Sequence, residues 1–231
     1  MNIDSLAKFF IDEKKINNLS KDCDLLVKVN KNPTTNKELI ETKAYHFKIP
    51  KENDKLLWVY FIITNGEISY QMHENKNIVV EKNIKIDLVH KIRENKNILK
   101  QYKYAPFAEL ESNLSNDKYL SLTTFFSLMV LENKNIIYLK KKCFYKCLMN
   151  DSDIIYLIND KHGVCEIDRK QLDKISEENL EINSLTKPIK SITSYKLDEL
   201  KHMTNVLNIK CNEKKNKKDF YEEIVLHFSN F

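Results

Sequence analysis

The sequence predicts an α+β fold that ends in a small helical unit. Up to about residue 131, apolar residues recur mostly at helical spacing, whereas from Asn135 onward short strand-like runs alternate with the turn sequences NDSD and NDKHG. Two short amphipathic helical patterns follow a polar connector near the end of the chain. Helices and strands that are segregated along the chain in this way are typical of the α+β class.

The first 66 residues contain patterns that predict both helices and strands. One helix and two strands are expected, over residues 3–15, 23–29 and 44–50. The segment NDKLLWVYFIITNG then predicts a buried helix, with Asn53 or Asp54 as its N-cap and Gly66 at its end. A buried strand is the alternative for this segment, because its central residues are all strand formers.

The middle of the chain predicts helices followed by strands. Helices are expected within residues 79–103, after Pro106 and in LSLTTFFSLMVLEN. The runs NIIYLKKK, CFYKCLMN, DIIYLIND and VCEIDRK predict a β-meander of three or four strands. A polar connector over residues 171–188 would then join a main domain, residues 1–185, to a C-terminal unit, residues 186–231.

The composition excludes several function classes. A hydrophobic fraction of 42% over 231 residues is sufficient for a real core, which excludes intrinsic disorder of most of the chain. Only two glycines occur, Gly66 and Gly163, whereas a P-loop, a dinucleotide-binding G-x-G-x-x-G and a nucleophile elbow each need several at close spacing. Nucleotide-driven and hydride-transfer chemistry on those scaffolds is therefore excluded.

Cysteine usage and hydropathy predict the compartment. The five cysteines are an odd number, and the N-terminus has no secretory pattern. No apolar run reaches the roughly 18 residues of a membrane span. We therefore expect free thiols, no membrane partner and an intracellular location.

Two amphipathic helices are expected in the C-terminal unit, which carries +3 of the net charge of +5. Their apolar faces are Leu197, Leu200, Thr204 and Leu207 in the first helix, and Phe220, Ile224 and Phe228 in the second. Ser194 is the predicted N-cap of the first helix, while Asn216 and Asp219 predict a capping box at the start of the second. The link NIKCNEKKN gathers lysines at that start.

Several positions of this unit match a known module. They are Leu197, Leu200, Leu207, Ile209, Lys217 or Lys218, Phe220 and Ile224. In this arrangement the unit resembles the SAP-type helix–extended–helix family, which implies binding of nucleic acid. The family usually has glycine just before the lysine, and here Asn216 stands there, a residue type that tolerates a left-handed backbone.

Physical chemistry independently favours phosphate at the start of the second helix. Free N–H groups and the helix dipole attract anions there, and the neighbouring lysines add positive charge. The predicted nucleic-acid-binding residues are Lys196, Lys201, Lys210, Lys214, Lys215, Lys217 and Lys218. Such contacts give salt-sensitive binding with weak sequence preference. The alternative is that these lysines only hydrate a helix pair that docks on the main domain or on a protein.

Three longer stretches, DKLLWVYFIITNGEISYQM, LTTFFSLMVLEN and KPIKSITSYKLDELKHM, carry a second resemblance. Through them the chain resembles a group of uncharacterised proteins of nucleocytoplasmic large DNA viruses. This resemblance implies a viral protein that acts with the viral genome, in the host cytoplasm, a viral factory or the virion. It transfers no catalytic residue.

A zinc site is one alternative chemistry. Cys143, Cys147, His162 and Cys165 are residues of the types that bind zinc. The C-x3-C pair, however, lies inside a predicted strand rather than in a turn, and buried free cysteines are common as small apolar residues. Core packing is therefore favoured, and we expect no metal and no cofactor.

A nuclease is the other alternative chemistry. Asp160, Glu166, Asp168 and Lys170 are similar to the carboxylates and lysine of metal-dependent nucleases. Acidic residues beside a hairpin are usually hydrated turn residues, so we expect no catalytic residue among them.

The predicted function is non-enzymatic binding of DNA in the organisation, packaging or transcription of a viral genome. The main domain would hold another viral protein at the nucleic acid. Two alternatives stay open: a viral structural or adaptor protein whose terminal helices dock on a protein partner, and a metal-dependent nuclease.

Overall fold

The computed structural model describes residues 45–210 and 216–229. The predicted helix over 3–15 and the predicted strand over 23–29 lie outside these residues. The described part of the chain contains nine α-helices and one five-stranded sheet, which confirms the predicted α+β class.

Within the described ranges, six helices precede the sheet. They are α1 (Lys55–Asn65), α2 (Glu67–Met72), α3 (Ile78–Glu94), α4 (Lys96–Tyr102), α5 (Phe107–Asn116) and α6 (Leu122–Leu131). The segment after Asn53 is thus a helix and not a strand. Asp54 caps it by accepting the Leu57 N–H at 3.3 Å, and Gly66 follows its last residue with a φ of 85°. The helices predicted within 79–103, after Pro106 and in LSLTTFFSLMVLEN are also confirmed.

Helices α1 and α6 form the centre of the helical part. Trp58, Phe125 and Phe126 are fully buried, and most of the side chains around them in both helices are buried too. A helix that is apolar on nearly all sides belongs inside a protein core. Helices α3, α4 and α5 add fewer buried residues to this core, among them Leu88, Leu99 and Leu110.

A buried ion pair lies at the start of α1 and connects segments of this helical part. Lys85 Nζ of α3 lies 2.7 Å from Asp54 Oδ2, and the two side chains are only 7% and 2% exposed. The same carboxylate accepts the Leu120 N–H at 3.0 and 3.1 Å. Lys85 also donates to the carbonyls of Asp117, at 3.2 Å, and Lys118, at 2.9 Å. The pair therefore connects α1, α3 and the segment between α5 and α6.

The sheet is not the predicted meander. Its strands are β1 (Ile136–Lys140), β2 (Cys143–Cys147), β3 (Ile155–Asn159), β4 (Val164–Ile167) and β5 (Leu180–Glu181), in the order β4-β3-β1-β2-β5. The first four strands were predicted, and they form two antiparallel hairpins that join through a parallel β1–β3 pair. In β1, three consecutive residues are buried, so both of its faces are covered, as is typical of a central strand.

Two other predictions need correction. The strand predicted over 44–50 contributes only one bridge, between Lys48 and Val164, because Pro50 has no N–H to continue the pairing. The connector predicted over 171–188 contains most of α7 (Arg169–Glu178) and all of β5. Helix α7 forms because Asp168 caps it in a capping box with Gln171, and because its apolar residues pack against the sheet.

The last two helices pack against the β2–β5 edge of the sheet. They are α8 (Leu197–Val206) and α9 (Lys217–Ser229), and a short 3-10 helix, Ile192–Ser194, precedes them. Leu200, Phe220 and Ile224 are buried in one apolar cluster with Cys143 of β2 and with Ile182. The predicted apolar cores of both helices are therefore confirmed, while the boundary between residues 185 and 186 stays a prediction.

Candidate nucleic-acid interface

Helix α9 begins with the predicted capping box. Asn216 Oδ1 accepts the Asp219 N–H at 3.0 Å, and an Asp219 carboxylate oxygen accepts the Asn216 N–H at 3.1 Å. Lys217 and Lys218 therefore occupy the first two positions of the helix. Lys218 Nζ lies 3.6 Å from a Glu222 oxygen, but the side chains are 76% and 64% exposed. An exposed pair of this kind stabilises a helix by only about 0.5 kcal/mol, so a phosphate could displace Glu222 easily.

Helix α8 begins differently from the prediction. Its N-cap is Lys196, whose N–H donates to Glu199 Oε2 at 2.6 Å. Ser194 is not the cap, because it belongs to the preceding 3-10 helix and its hydroxyl lies 3.1 Å from that of Ser191. The exposed Lys196 side chain thus marks the start of α8, as Lys217 and Lys218 mark the start of α9.

Sequence reasoning missed Lys190. The Tyr221 hydroxyl of α9 donates to the Lys190 carbonyl at 3.0 Å, and the Lys190 N–H donates to the Tyr195 hydroxyl at 3.0 Å. Tyr195 directly precedes the N-cap of α8, so these two bonds hold the early parts of both helices against residue 190. Lys190 is exposed and joins the candidate interface. In the sequence it looks like any other lysine of a polar connector.

The remaining predicted lysines are not all gathered at these helix starts. Lys201 lies in the middle of α8 and is half-buried. Lys196 directly precedes α8, whereas Lys210 follows its other end. The length of the helix, about 15 Å, therefore separates the two lysines. Lys214 and Lys215 lie outside the described residues.

Comparisons with known proteins do not identify the interface, so its interpretation depends on its own residues. No family model, curated protein or solved structure matches this chain. In the two described ranges, no helix has the length and apolar character needed to cross a membrane.

The four residues of the zinc alternative are not brought together. Cys143 packs beside the C-terminal helices, Cys147 packs with the helical core, and Cys165 packs in a third apolar cluster. His162 lies in the β3–β4 turn, where its φ is 57°. Among the residues that the structure describes, no group of three or more His, Cys, Asp or Glu side chains could hold a metal ion.

Burial also keeps the Cys143 thiol protonated. It raises the pKa of Cys143 to about 12, whereas a thiol in an unfolded chain ionises near pH 8.5. The unfolded state therefore loses its proton first. The contribution of Cys143 to stability is fully present below about pH 8.5 and is lost as the pH rises towards 12.

We expect this thiol to steepen the alkaline loss of stability. The free energy of unfolding, measured by urea unfolding at a series of pH values above 8.5, should fall more steeply for the wild-type protein than for Cys143→Ala. The comparison uses the slopes, because the variant also loses packing at every pH. Parallel slopes would show that Cys143 does not titrate differently in the two states.

The acidic residues of the nuclease alternative are dispersed as well. Asp168 accepts the Gln171 N–H at 2.7 Å and serves as the N-cap of α7. Glu166 lies on β4 opposite Tyr156, and Asp160 lies in the β3–β4 turn. Asp168 thus has a structural role as a helix cap, and this role accounts for the residue without catalysis.

Proposed function

We propose that this protein binds DNA without catalysing a reaction, through the lysine-bearing starts of α8 and α9. The observation that carries the proposal is the capping box of Asn216 and Asp219. It fixes the first turn of α9 so that Lys217 and Lys218 lie where a helix attracts phosphate. In line with the resemblance of the sequence to proteins of large DNA viruses, the DNA would be a viral genome during organisation, packaging or transcription.

Two acidic residues of the unit accept backbone N–H groups at the helix starts. Glu199 accepts the Lys196 N–H and Asp219 accepts the Asn216 N–H, so both carboxylates serve as helix caps. The capping box engages only the third N–H of α9, that of Asp219. The first two N–H groups belong to the lysines themselves, and a phosphate placed there would meet backbone dipoles and ammonium groups together.

The main apolar faces of the two helices are covered by this same chain. Leu200, Phe220 and Ile224 are buried against the sheet edge of this same chain. These apolar faces are therefore not available for docking on a second protein. The adaptor alternative would have to use the remaining surface, which carries the lysines and, on α9, the exposed side chain of Leu226.

The salt dependence of DNA binding tests the proposal. The wild-type protein is titrated into a fluorescently labelled duplex at several salt concentrations, and each phosphate contact should contribute about −0.9 to the slope of log K against log salt. With four to seven contacts we expect a slope of about −4 to −6, and similar affinities for two unrelated duplex sequences. An affinity that does not change with salt, or no binding at low salt, would contradict the proposal.

A further inference from the structure

We propose a second binding site, for a small anionic molecule with an apolar body, in a cavity between α4 and α5. The cavity has a volume of about 520 Å³, which lies within the range of ligand pockets in proteins. It is separate from the starts of α8 and α9, and this proposal does not depend on nucleic-acid binding.

The inner walls of the cavity are apolar. Leu99 of α4 and Leu110 of α5 are buried, while Tyr104 and Phe107 are half-buried and leave part of their rings accessible. Tyr104 is held from behind by Phe126, with ring centroids 5.8 Å apart. A ligand with an aromatic or aliphatic body could cover these surfaces, and its burial would supply the apolar part of the binding energy.

The mouth of the cavity is cationic. Lys100 and Lys103 line it, and Lys96 Nζ lies 4.6 Å from the centre of the Phe107 ring. Lys96 and Lys100 are four residues apart and share one side of α4, and Lys103 directly follows the last residue of this helix. Neither Lys100 nor Lys103 forms an ion pair with a carboxylate of the described residues. Glu109 is the one acidic residue among those that line the cavity, so positive charge is in excess there.

The backbone of Lys103 is left-handed where α4 ends. Lys103 ends α4 in the left-handed conformation, with a φ of 52°, and its N–H donates to the Leu99 carbonyl at 3.4 Å. This position usually holds glycine or asparagine, because a side chain with a Cβ is strained there. The chain nevertheless places a lysine at this position, as it does at Lys141 and Lys142, and Lys103 lines the cavity.

Thr186 supplies a further polar group to the lining of the cavity. Its hydroxyl lies 3.2 Å from that of Ser184, and it belongs to the segment after β5 rather than to the helices. An anionic group such as a carboxylate could accept hydrogen bonds from the two lysines and from this hydroxyl. Apolar walls with a few convergent polar groups are typical of small-molecule sites. The geometry therefore fits a ligand with one anionic end.

Three ligands with the same ring and different charge test the assignment. They are 2-naphthoate, 2-naphthalenemethanol and 2-naphthylmethylamine, each titrated into the full chain by isothermal calorimetry. We expect 2-naphthoate to bind at least about tenfold more tightly than the alcohol, and the amine to bind most weakly, because the lysine ammonium groups attract the carboxylate and repel the ammonium group of the amine. Naphthoate binding that is absent, or no tighter than that of the alcohol, would overturn the proposal.

Two variants and a control locate the site. Lys100→Gln with Lys103→Asn should weaken naphthoate binding at least about tenfold and leave the alcohol unchanged, because only the charged contacts are lost. Ala105→Phe should fill the cavity and abolish binding of all three ligands. Lys170→Gln with Lys174→Gln, at exposed positions of α7, removes the same two charges, serves as the charge control and should bind like the wild type. Naphthoate binding that survives both cavity variants, in proteins whose melting temperatures match the wild type, would also overturn the proposal.

Discussion

Replacing Lys214, Lys215, Lys217 and Lys218 by glutamine is expected to lower the affinity for duplex DNA by on the order of a thousandfold at 0.1 M salt. Each lysine that contacts a phosphate releases a counterion, so four lost contacts remove four times about 0.9 from the slope of log K against log salt. The slope should therefore become shallower by about 3 to 4. Fluorescence anisotropy at several salt concentrations measures both quantities.

A matched variant separates a local interface from net charge. Lys51, Lys82, Lys170 and Lys174 are exposed and lie on other parts of the chain, and their replacement by glutamine changes the net charge by the same amount. Electrostatic attraction at a distance is screened within about 10 Å at 0.1 M salt, so this variant should keep most of its affinity. Equal losses in the two variants would mean that no local interface exists at the start of α9.

A third variant tests the residue that only the structure revealed. Lys190 and Lys196 lie near the starts of the two terminal helices, and their joint replacement should reduce the slope by about 2 if both contact phosphate. Because Lys190 forms its observed hydrogen bonds through backbone atoms, replacing its side chain keeps the bonds to Tyr195 and Tyr221. A change in affinity would therefore report phosphate contact rather than a loosened helix pair.

Helix starts and ends could be predicted from the sequence because they depend on neighbouring residues. Asp54 and Gly66 bound α1, and the reciprocal bonds of Asn216 and Asp219 start α9, as the residue types predict. Ser194 is the exception. It is a good cap residue, but it belongs to the turn at Ser191, and α8 starts later, with Lys196 as its N-cap and the Lys196 N–H bonded to Glu199.

The sheet order could not be predicted in the same way, because strand pairing is not local. Four short strands with turn residues between them fit a meander and two hairpins joined in parallel equally well. The burial of the strands distinguishes these two arrangements. The consecutive apolar residues of β1 are covered on both faces, whereas the exposed Lys146 interrupts β2. A run of consecutive apolar residues indicates a central strand only when the strands on both sides of it are already known.

The candidate sites also differ in whether they depend on neighbouring residues or on the packing of distant segments. The lysines at the start of α9 are adjacent in the sequence, so composition alone predicts them. Lys190 reaches the interface through tyrosines that are distant in the chain, and the cavity at Lys103 needs Thr186 from beyond the sheet. Sites built by packing of distant segments leave no periodic signal in a single sequence.

Breaking the ion pair between Asp54 and Lys85 is expected to reduce the free energy of unfolding by about 3–5 kcal/mol. Lys85→Met keeps an unbranched chain of similar length, so the packing of the stem changes little. The variant leaves the Asp54 carboxylate buried without its cation, and it removes the donor of the Asp117 and Lys118 carbonyls. Urea unfolding followed by circular dichroism measures the change.

The exposed pair of Lys146 and Glu181 provides the matched control. Its N–O distance is 2.8 Å, close to that of the buried pair, but its side chains are 38% and 42% exposed. Water solvates the remaining carboxylate when such a pair is broken, so Lys146→Met should reduce stability by at most about 1 kcal/mol. Losses of equal size in the two variants would contradict the role of burial.

A double variant then distinguishes the charge interaction from packing. Asp54→Asn combined with Lys85→Met leaves no unpaired charge, and the amide oxygen can still accept the Leu120 and Leu57 N–H groups. We expect the double variant to lose about 1–3 kcal/mol less than the sum of the two single variants. If the losses simply add, the two side chains stabilise the fold separately, and the connection between α1, α3 and the α5–α6 segment does not depend on their pairing.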